Sequence, residues 1–394
     1  MAQQNSTLTT SLTRPGSLNG GADSRALYLK LFSGEMFKGF QHNAIARDLV
    51  MKRTLKNGKS MQFIYTGRTK AEYHTPGNSI LGNSDGAPPV AEKTITVDDL
   101  LISSAFVYEL DETLAHYELR GEISKKIGYA LAEKYDRLIF RAIAKGARQA
   151  SPVAKSGFVE PGGTQIRVGT NNQASDAYVP ASLINAFYDA AAALDEKGVS
   201  SDGRVAVLNP RQYYELIQNV GSNGLINRDT QGTALQSGQG IIEIAGIKIY
   251  KSMNIPFFGN YGTIYGSASA TNPGVPSPGN VGSFIADTTT TNGLEDGQAS
   301  VTGINNNYGN HSDFANSCGL IFQKEGAACV EAIGPQVQVT SGDVSVVYQG
   351  DVILGRLAMG ADFLNPAACV ELIAGAAVGS TGNAAFGTTY PANG

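Results

Sequence analysis

The chain has 394 residues, of which 42% are hydrophobic and 16% are charged, so it can bury a substantial core and does not have the composition of a disordered protein. Its formal net charge is −4 and it contains no run of lysine or arginine, which argues against a protein that binds nucleic acid tightly. No stretch reaches the roughly 18 apolar residues of a membrane helix, and the polar residues 1–21 predict no signal peptide. We therefore expect a protein that is made in the cytoplasm and does not enter a membrane.

Residues 1–56 are expected to form an N-terminal arm. Residues 1–24 are rich in Gln, Asn, Ser, Thr and Gly and show no periodicity. The apolar run Ala26–Phe32 follows, and it needs a surface to pack on, either in its own domain or on a neighbouring molecule. Residues 44–56 are expected to be extended or mixed.

Residues 57–100 predict a long hairpin arm. Strand-forming residues at Met61–Tyr65 and Glu92–Leu101 flank a segment rich in Gly, Asn and Pro, which are turn residues. Two arms of about 15 residues would project on the order of 50 Å, and an isolated two-stranded arm is only marginally stable in water. We expect this arm to lie across another surface and to turn at a hinge formed by Gly58 and Lys59.

A long helix is predicted over residues 109–148, because apolar residues recur there at helical spacing. Acidic residues cluster at its start and basic residues at its end, which suits the helix dipole. Two pairs of opposite charge lie one turn apart, Glu122–Lys126 and Glu133–Arg137. At 1.5 Å per residue the helix would span about 60 Å. We assign residues 101–178 to a domain built on this spine helix.

Residues 179–335 alternate helices and strands and predict a compact α/β domain. The predicted elements are the helix Ser182–Lys197, the strand Arg204–Leu208, a helix from Pro210 to Gln218 capped by Asn209, and two short strands within Ile241–Tyr250. Residues 257–316 are rich in Gly, Asn, Thr and Ser and are expected to form a surface insertion. Residues 336–374 predict strands that return to the core, and residues 375–394 a flexible tail.

The sequence does not match the motifs of enzyme active sites or metal sites. Gly58-Lys59-Ser60 resembles the end of a phosphate-binding loop, but Arg53 stands where that motif needs a glycine, and a strand is predicted where it needs a helix. The four histidines, His42, His74, His116 and His311, do not have the spacing of metal ligands. The cysteines are odd in number and lack CxxC spacing, so they are expected to be buried thiols: Cys318, Cys329 and Cys369. We predict no catalytic residue, no metal and no cofactor.

The order of several motifs resembles the major capsid proteins of T7-like short-tailed phages. The motifs are Leu27–Glu35, Gly58–Phe63, Gly67–Tyr73, Pro76-Gly77, Glu92–Asp98, Asp111–Arg120, Ala245–Ile249, Asn254–Pro256, Ala358–Gly360 and Asn365–Ala367. The resemblance is strong over residues 25–145, patchy over 200–256 and 318–370, and absent in 257–316.

This resemblance implies an α+β, HK97-like phage capsid fold with an N-arm, an extended loop (E-loop) at residues 57–100, a peripheral domain with the spine helix, and an axial domain. It also implies which residues carry the assembly. The E-loop residues expected to contact another subunit are Gly67, Arg68, Thr69, Lys70, Glu72, Tyr73, Pro76 and Gly77. The residues expected to mark the spine helix are Glu109, His116, Tyr117, Arg120 and Glu122.

Such a protein is expected to form hexamers and pentamers of an icosahedral shell that encloses double-stranded DNA without sequence-specific binding. Its expected partners are copies of itself, a scaffolding protein, a portal protein and, as a further candidate, a decoration protein. The shell is expected to expand as DNA enters. A cyanobacterial host is expected, and covalent cross-linking through Lys59 or Lys70 is not.

Three alternatives stay open at the level of the sequence. A cellular nanocompartment shell protein (encapsulin-like) shares the same fold class. An NTP-dependent enzyme would use Lys59. A decoration or fibre protein would account for residues 257–316, but it has no use for a spine helix of 40 residues.

Overall fold

The computed structural model of the protein describes residues 45–67, 73–77, 90–109, 119–155, 158–169, 174–218, 243–252, 254–255, 305–306, 308, 317–339 and 349–374. They fall into two compact units. Described residues of 100–134 and 333–358 belong to the small unit, and the other described residues belong to the large unit.

The protein contains both α-helices and β-sheets and has the predicted α+β class. The described α-helices are α1 (Ala46–Leu49), α2 (Leu119–Ala147), α3 (Pro180–Glu196) and α4 (Pro210–Gln218), with short 3-10 helices at Ala174–Tyr178, Lys324–Gly326 and Pro366–Ala368. The described strands are β1 (Met51–Thr54), β2 (Ser60–Thr66), β3 (Val90–Thr96), β4 (Leu101–Tyr108), β5 (Ala154–Lys155), β6 (Phe158–Val159), β7 (Thr164–Arg167), β8 (Arg204–Leu208), β9 (Glu243–Ile244), β10 (Ile247–Lys251), β11 (Ser317–Gln323), β12 (Ala327–Val339), β13 (Gly350–Phe363) and β14 (Cys369–Ile373).

In the small unit, a strand pair packs on the first half of α2. Strand β4 pairs antiparallel with β13, from Leu101 opposite Leu357 to Tyr108 opposite Gly350. Because side chains alternate across a strand pair, one face points to the helix and forms a core of Val107, Ile127, Leu131 and Ile353. Gly355 allows the close approach, since a Cβ atom there would lie 2.9 Å from the Cδ1 atom of Leu131.

The large unit is built on a six-stranded sheet of described strands in the order β7-β14-β11-β8-β10-β9. Strand β14 runs parallel to β7, and β10 runs parallel to β8, whereas the other neighbours are antiparallel. Every residue of β8 and β14 is buried, as expected for strands that are covered on both faces. Helices α3 and α4 contact this sheet, and α3 turns a face of residues spaced by three or four inward: Leu183, Ala186, Phe187, Ala190, Ala191 and Leu194.

The second half of α2 packs tightly within the large unit. Gly146 has no room for a side chain, because a Cβ atom there would lie 2.7 Å from Cβ of Phe363 and 3.2 Å from Sγ of Cys369. All three cysteines are free and buried, as predicted, and burial raises the pKa of Cys369 to about 12. Within the described residues, no helix combines the length and the apolar character that crossing a membrane requires.

Most predicted elements of the large unit are confirmed, with ends shifted by two residues or fewer. Helix α3 begins at Pro180, strand β8 and helix α4 have the predicted ends, and Gly198 follows α3 with φ +70°. Strands β9 and β10 flank the turn at Ala245 and Gly246, which have φ values of +52° and +75°.

One expectation is wrong. Strand β3 ends at Thr96 and does not continue to Leu101, because the chain changes hydrogen-bond partners: the Asp98 N–H donates to the Met359 carbonyl at 3.0 Å. Of residues 257–316, expected to form a surface insertion, the structure describes Asn305, Asn306 and Tyr308, and Tyr308 is 1% exposed. The surface insertion stays a prediction for the rest of the segment.

The predicted spine helix is described from Leu119 to Ala147, which is 29 residues or about 43 Å. Residues 110–118 lie outside the described residues. The carboxylate of Glu122 accepts a hydrogen bond from the Lys125 ammonium at 3.4 Å.

Candidate assembly surface

The feature closest to an assembly device is the hairpin of β2 and β3. The two strands pair antiparallel from Ser60 opposite Thr96 to Thr66 opposite Val90. Exposed and less exposed residues alternate along both strands, so the hairpin has two faces. The inner face comprises Met61, Phe63, Tyr65, Ala91, Lys93 and Ile95, and the outer face comprises Ser60, Gln62, Ile64, Thr66, Val90, Glu92, Thr94 and Thr96.

The outer face carries two apolar side chains that are largely exposed to solvent. Ile64 is 74% exposed and Val90 is 61% exposed, and the register places them as diagonal neighbours on the two strands. These two adjacent apolar side chains make the outer face a candidate contact for another chain.

The inner face contacts the rest of the large unit through an ion pair and a cation–π interaction. The Lys93 Nζ atom lies 2.8 Å from Oδ2 of Asp362 and 4.0 Å from the centre of the Phe363 ring. The Lys145 Nζ atom, at the end of α2, lies 3.4 Å from Oδ1 of the same Asp362. Ile95, next to Lys93 on this face, is completely buried. The hairpin therefore does not project freely along its described length, because its inner face is anchored to its own subunit.

The base of the hairpin is fixed by the carboxylate of Asp98. Its Oδ1 accepts from the N–H groups of Asn305 at 2.7 Å and of Asn306 at 3.2 Å, and from the Asn306 amide at 3.1 Å. Its Oδ2 accepts from the Tyr308 hydroxyl at 2.7 Å, which itself accepts from the Ala361 N–H at 2.9 Å. Burial raises the pKa of Asp98, and these donors oppose the shift. Asp98 therefore ties the chain after β3 to two distant segments.

A second buried carboxylate ties further elements of the large unit together. Glu331 on β12 accepts from Arg47 at 2.9 and 3.0 Å, from Lys52 at 2.9 Å and from the Tyr135 hydroxyl at 2.8 Å. Burial alone would raise the pKa of Glu331, but the hydrogen bonds from Arg47, Lys52 and Tyr135 outweigh burial and lower it. Within the described ranges, no three His, Cys, Asp or Glu side chains are grouped closely enough to hold a metal ion.

Comparison with known proteins decides the family. A model of the Gp10A-like major capsid protein family matches residues 62–373, well over half of the chain. The chain belongs to this family. This capsid-family chain is 30% identical to the major capsid protein of Escherichia phage T7 over 201 residues, which cover 50% of the chain and 57% of the T7 protein. The chain thus spans about half the length of the T7 protein.

Solved structures agree with this family assignment. The capsid of the cyanophage P-SCSP1u is 30% identical, with a TM-score of 0.66, and the match covers 92% of this chain and 97% of that one. The mature capsid of bacteriophage PhiM1, 16% identical with a TM-score of 0.57, matches over 93% of this chain and 98% of its own. The HK97-like phage capsid fold expected from the motif order is therefore confirmed.

The predicted site residues of this capsid-family protein are only partly described. Among the E-loop residues, Gly67 is half-buried, whereas Tyr73, Pro76 and Gly77 are exposed. Gly58, the predicted hinge, has φ +94°, and Lys59 is exposed while its carbonyl accepts from the Val97 N–H at 2.8 Å. The residues outside the described ranges are Arg68, Thr69, Lys70, Glu72, His116 and Tyr117.

Two of the residues predicted for the spine helix, Glu109 and Glu122, make contacts within the subunit. The Glu109 N–H donates to the Gln349 carbonyl at 3.1 Å, and Glu122 contacts Lys125. Arg120 lies in the first described turn of α2. A functional role of these spine-helix residues stays a prediction.

The sequence alone did not identify the groups that hold the hairpin in place, which are Lys93, Asp98, Lys145 and Asp362. One signal was available: Lys93 lies at the same alternation position as Met61 and Ile95, which marks it as an inward-facing lysine.

Proposed function

We propose that this chain is a major capsid protein that joins copies of itself into an icosahedral shell enclosing phage double-stranded DNA. Hexamers and pentamers are the proposed building units, and the virion is the proposed location. Family membership and the match to the whole length of the P-SCSP1u capsid chain support this proposal. That second match also supports a cyanobacterial host.

The observation that carries the proposal is the outer face of the hairpin. Ile64 and Val90 are exposed on a two-stranded sheet, and the strand edges of a hairpin offer backbone groups to a further strand or surface. Each such contact is modest, but a closed shell repeats it many times, and multivalency makes the whole stable. The occupant of this face is therefore a second copy of the same chain.

Further partners follow from the same proposal. A scaffolding protein and a portal protein would act during assembly, and a decoration protein is a further candidate for the finished shell. DNA would be enclosed without sequence-specific contacts, in keeping with the net charge of −4.

We propose no catalytic step for this protein. The Gly58-Lys59-Ser60 segment leads directly into strand β2, whereas a phosphate-binding loop leads into a helix. The neighbours reported above are phage capsids, so a cellular nanocompartment gains no support from them.

The hairpin face can be tested with single charge substitutions. Ile64→Asp and Val90→Asp should each reduce the yield of sedimenting shells by about tenfold, because a charge is placed in an apolar contact. Ser201→Asp, which adds the same charge at an exposed turn of the large unit, should assemble normally. Thermal unfolding should show all three variants folded. Normal assembly of both hairpin variants would remove the hairpin face from the assembly contact.

A further inference from the structure

Two lysines share one buried carboxylate beneath the hairpin. Asp362 is approached by Lys93 from the hairpin at 2.8 Å and by Lys145 from helix α2 at 3.4 Å. The side chains are 19%, 8% and 9% exposed for Lys93, Lys145 and Asp362. Both ammonium groups also face the ring of Phe363, at 4.0 and 5.4 Å from its centre.

We propose that Asp362 forms an exchangeable latch: Lys93 is the partner that can leave with the hairpin, and Lys145 is the resident counter-ion that remains. A buried carboxylate that loses its only partner is strongly disfavoured. Lys145 removes this obstacle, because Asp362 keeps a positive partner after Lys93 has left. The hairpin can thus be released without leaving an unpaired charge.

The charges of Lys93, Lys145 and Asp362 also favour release of the hairpin. With the hairpin in place, two positive charges act on one negative charge, and the two ammonium groups repel each other. Burial lowers the pKa of Lys145, Asp362 opposes this shift, and the charge of Lys93 adds to it. After release, one positive and one negative charge remain as a simple pair.

On the inner face, burial decreases with distance from the base of the hairpin. Ile95 is completely buried, whereas Lys93 and, further out, Ala91 are partly exposed. A cavity of about 150 Å³ borders Tyr65 at the far end, and it is also lined by Lys197 and Asn365.

The base of the hairpin stays fixed during this movement. The carboxylate of Asp98 accepts several hydrogen bonds there, described above, and its own N–H bonds to Met359 at 3.0 Å. The latch therefore allows the hairpin to pivot about Asp98 while its far end leaves the subunit. Its consequence for assembly rests on the proposed function, whereas the movement itself does not.

A matched pair of lysine substitutions tests the latch. Lys93→Met removes the leaving partner and Lys145→Met removes the resident one, with the same change of side chain. A released two-stranded hairpin is marginally stable, so its amides exchange when it leaves the subunit. Hydrogen–deuterium exchange is measured on dissociated full-length subunits, over residues 60–66 and 90–96, with residues 204–208 of the buried strand β8 as the internal reference.

The latch predicts opposite effects for the two variants. Lys93→Met should speed exchange of the hairpin about tenfold, and Lys145→Met should slow it about threefold, because Lys93 is then the cation that remains beside Asp362, whose Oδ1 otherwise accepts from the Phe363 N–H at 2.9 Å. If the reference strand shows that Lys145→Met impairs folding, Lys145→Gln, which is neutral and can still donate a hydrogen bond, replaces it. Faster or unchanged hairpin exchange in the folded Lys145 variant would overturn the latch and leave an ordinary structural ion cluster. Because no shells are present, failure of the shell proposal would not affect this result.

Discussion

At the scale of single residues, buried charges in the large unit have close partners that come from distant parts of the chain. The clearest case is Arg148, directly after α2, and Glu371 on β14, whose side chains are 1% and 0% exposed. The guanidinium donates twice, from Nε to Oε2 at 2.8 Å and from Nη2 to Oε1 at 2.7 Å. Gln165 and Ser317 donate to the same carboxylate. Such a fully hydrogen-bonded pair fixes the end of α2 against the sheet.

Removing one partner of this pair should destabilise the large unit strongly. We expect Arg148→Met to lower the free energy of unfolding by about 3–5 kcal/mol, because the Glu371 carboxylate is left buried without its cation. Chemical denaturation of the purified variant measures this effect. The matched double variant Arg148→Met/Glu371→Leu should recover a large part of the loss, and a double variant as unstable as the single one would contradict this explanation.

At the scale of elements, the contacts of Glu331 join four elements from three distant parts of the chain. Arg47 lies in α1, Lys52 in β1, Tyr135 in α2 and Glu331 in β12. Strand β1 adds to β12 in parallel, with Met51 opposite Ala328. The carboxylate therefore fastens the segment that precedes the hairpin.

This arrangement predicts a pH dependence. The pKa of Glu331 is lower in the folded protein than its ordinary value of 4.5, so its stabilising contribution is present above that value and is lost as the pH falls through the lowered folded value. Glu331→Gln should cost about 2 kcal/mol at pH 7, and clearly less at pH 3. Denaturation curves at both pH values measure the difference. An equal cost at both would show that the charge of Glu331 is not what matters.

Periodicity along the sequence predicted the elements better than it predicted their contacts. Helix α3 and strand β8 follow from local spacing of apolar residues, and both were confirmed. The hairpin strands were also predicted, but their inner-face anchor was not. Lys145 and Asp362 are 217 positions apart, and Asp98 and Asn306 are 208 apart. Pairing over such distances depends on the tertiary fold, which no local pattern contains.

At the scale of the whole molecule, the proposed function requires a subunit that folds by itself and contacts other copies through an exposed element. Strands β8 and β14 in the sheet of the large unit are fully buried, and the buried ion pair between Arg148 and Glu371 joins α2 to that sheet. The hairpin combines an anchored inner face with an apolar outer face. We propose that this separation lets the subunit fold first and assemble afterwards, as a shell of many identical copies requires.

The fold class and the family could be predicted from the sequence at this scale because they depend on the order of motifs. The extent of the proposed contact between subunits could not be predicted from the sequence, because it depends on a second copy of the chain.

Electron microscopy of the purified full-length protein tests the central claim most directly. We predict polyhedral shells, or rings of five and six subunits, without any added enzyme substrate or cofactor. A small, uniform monomer under all assembly conditions would contradict the proposal that this chain builds a shell.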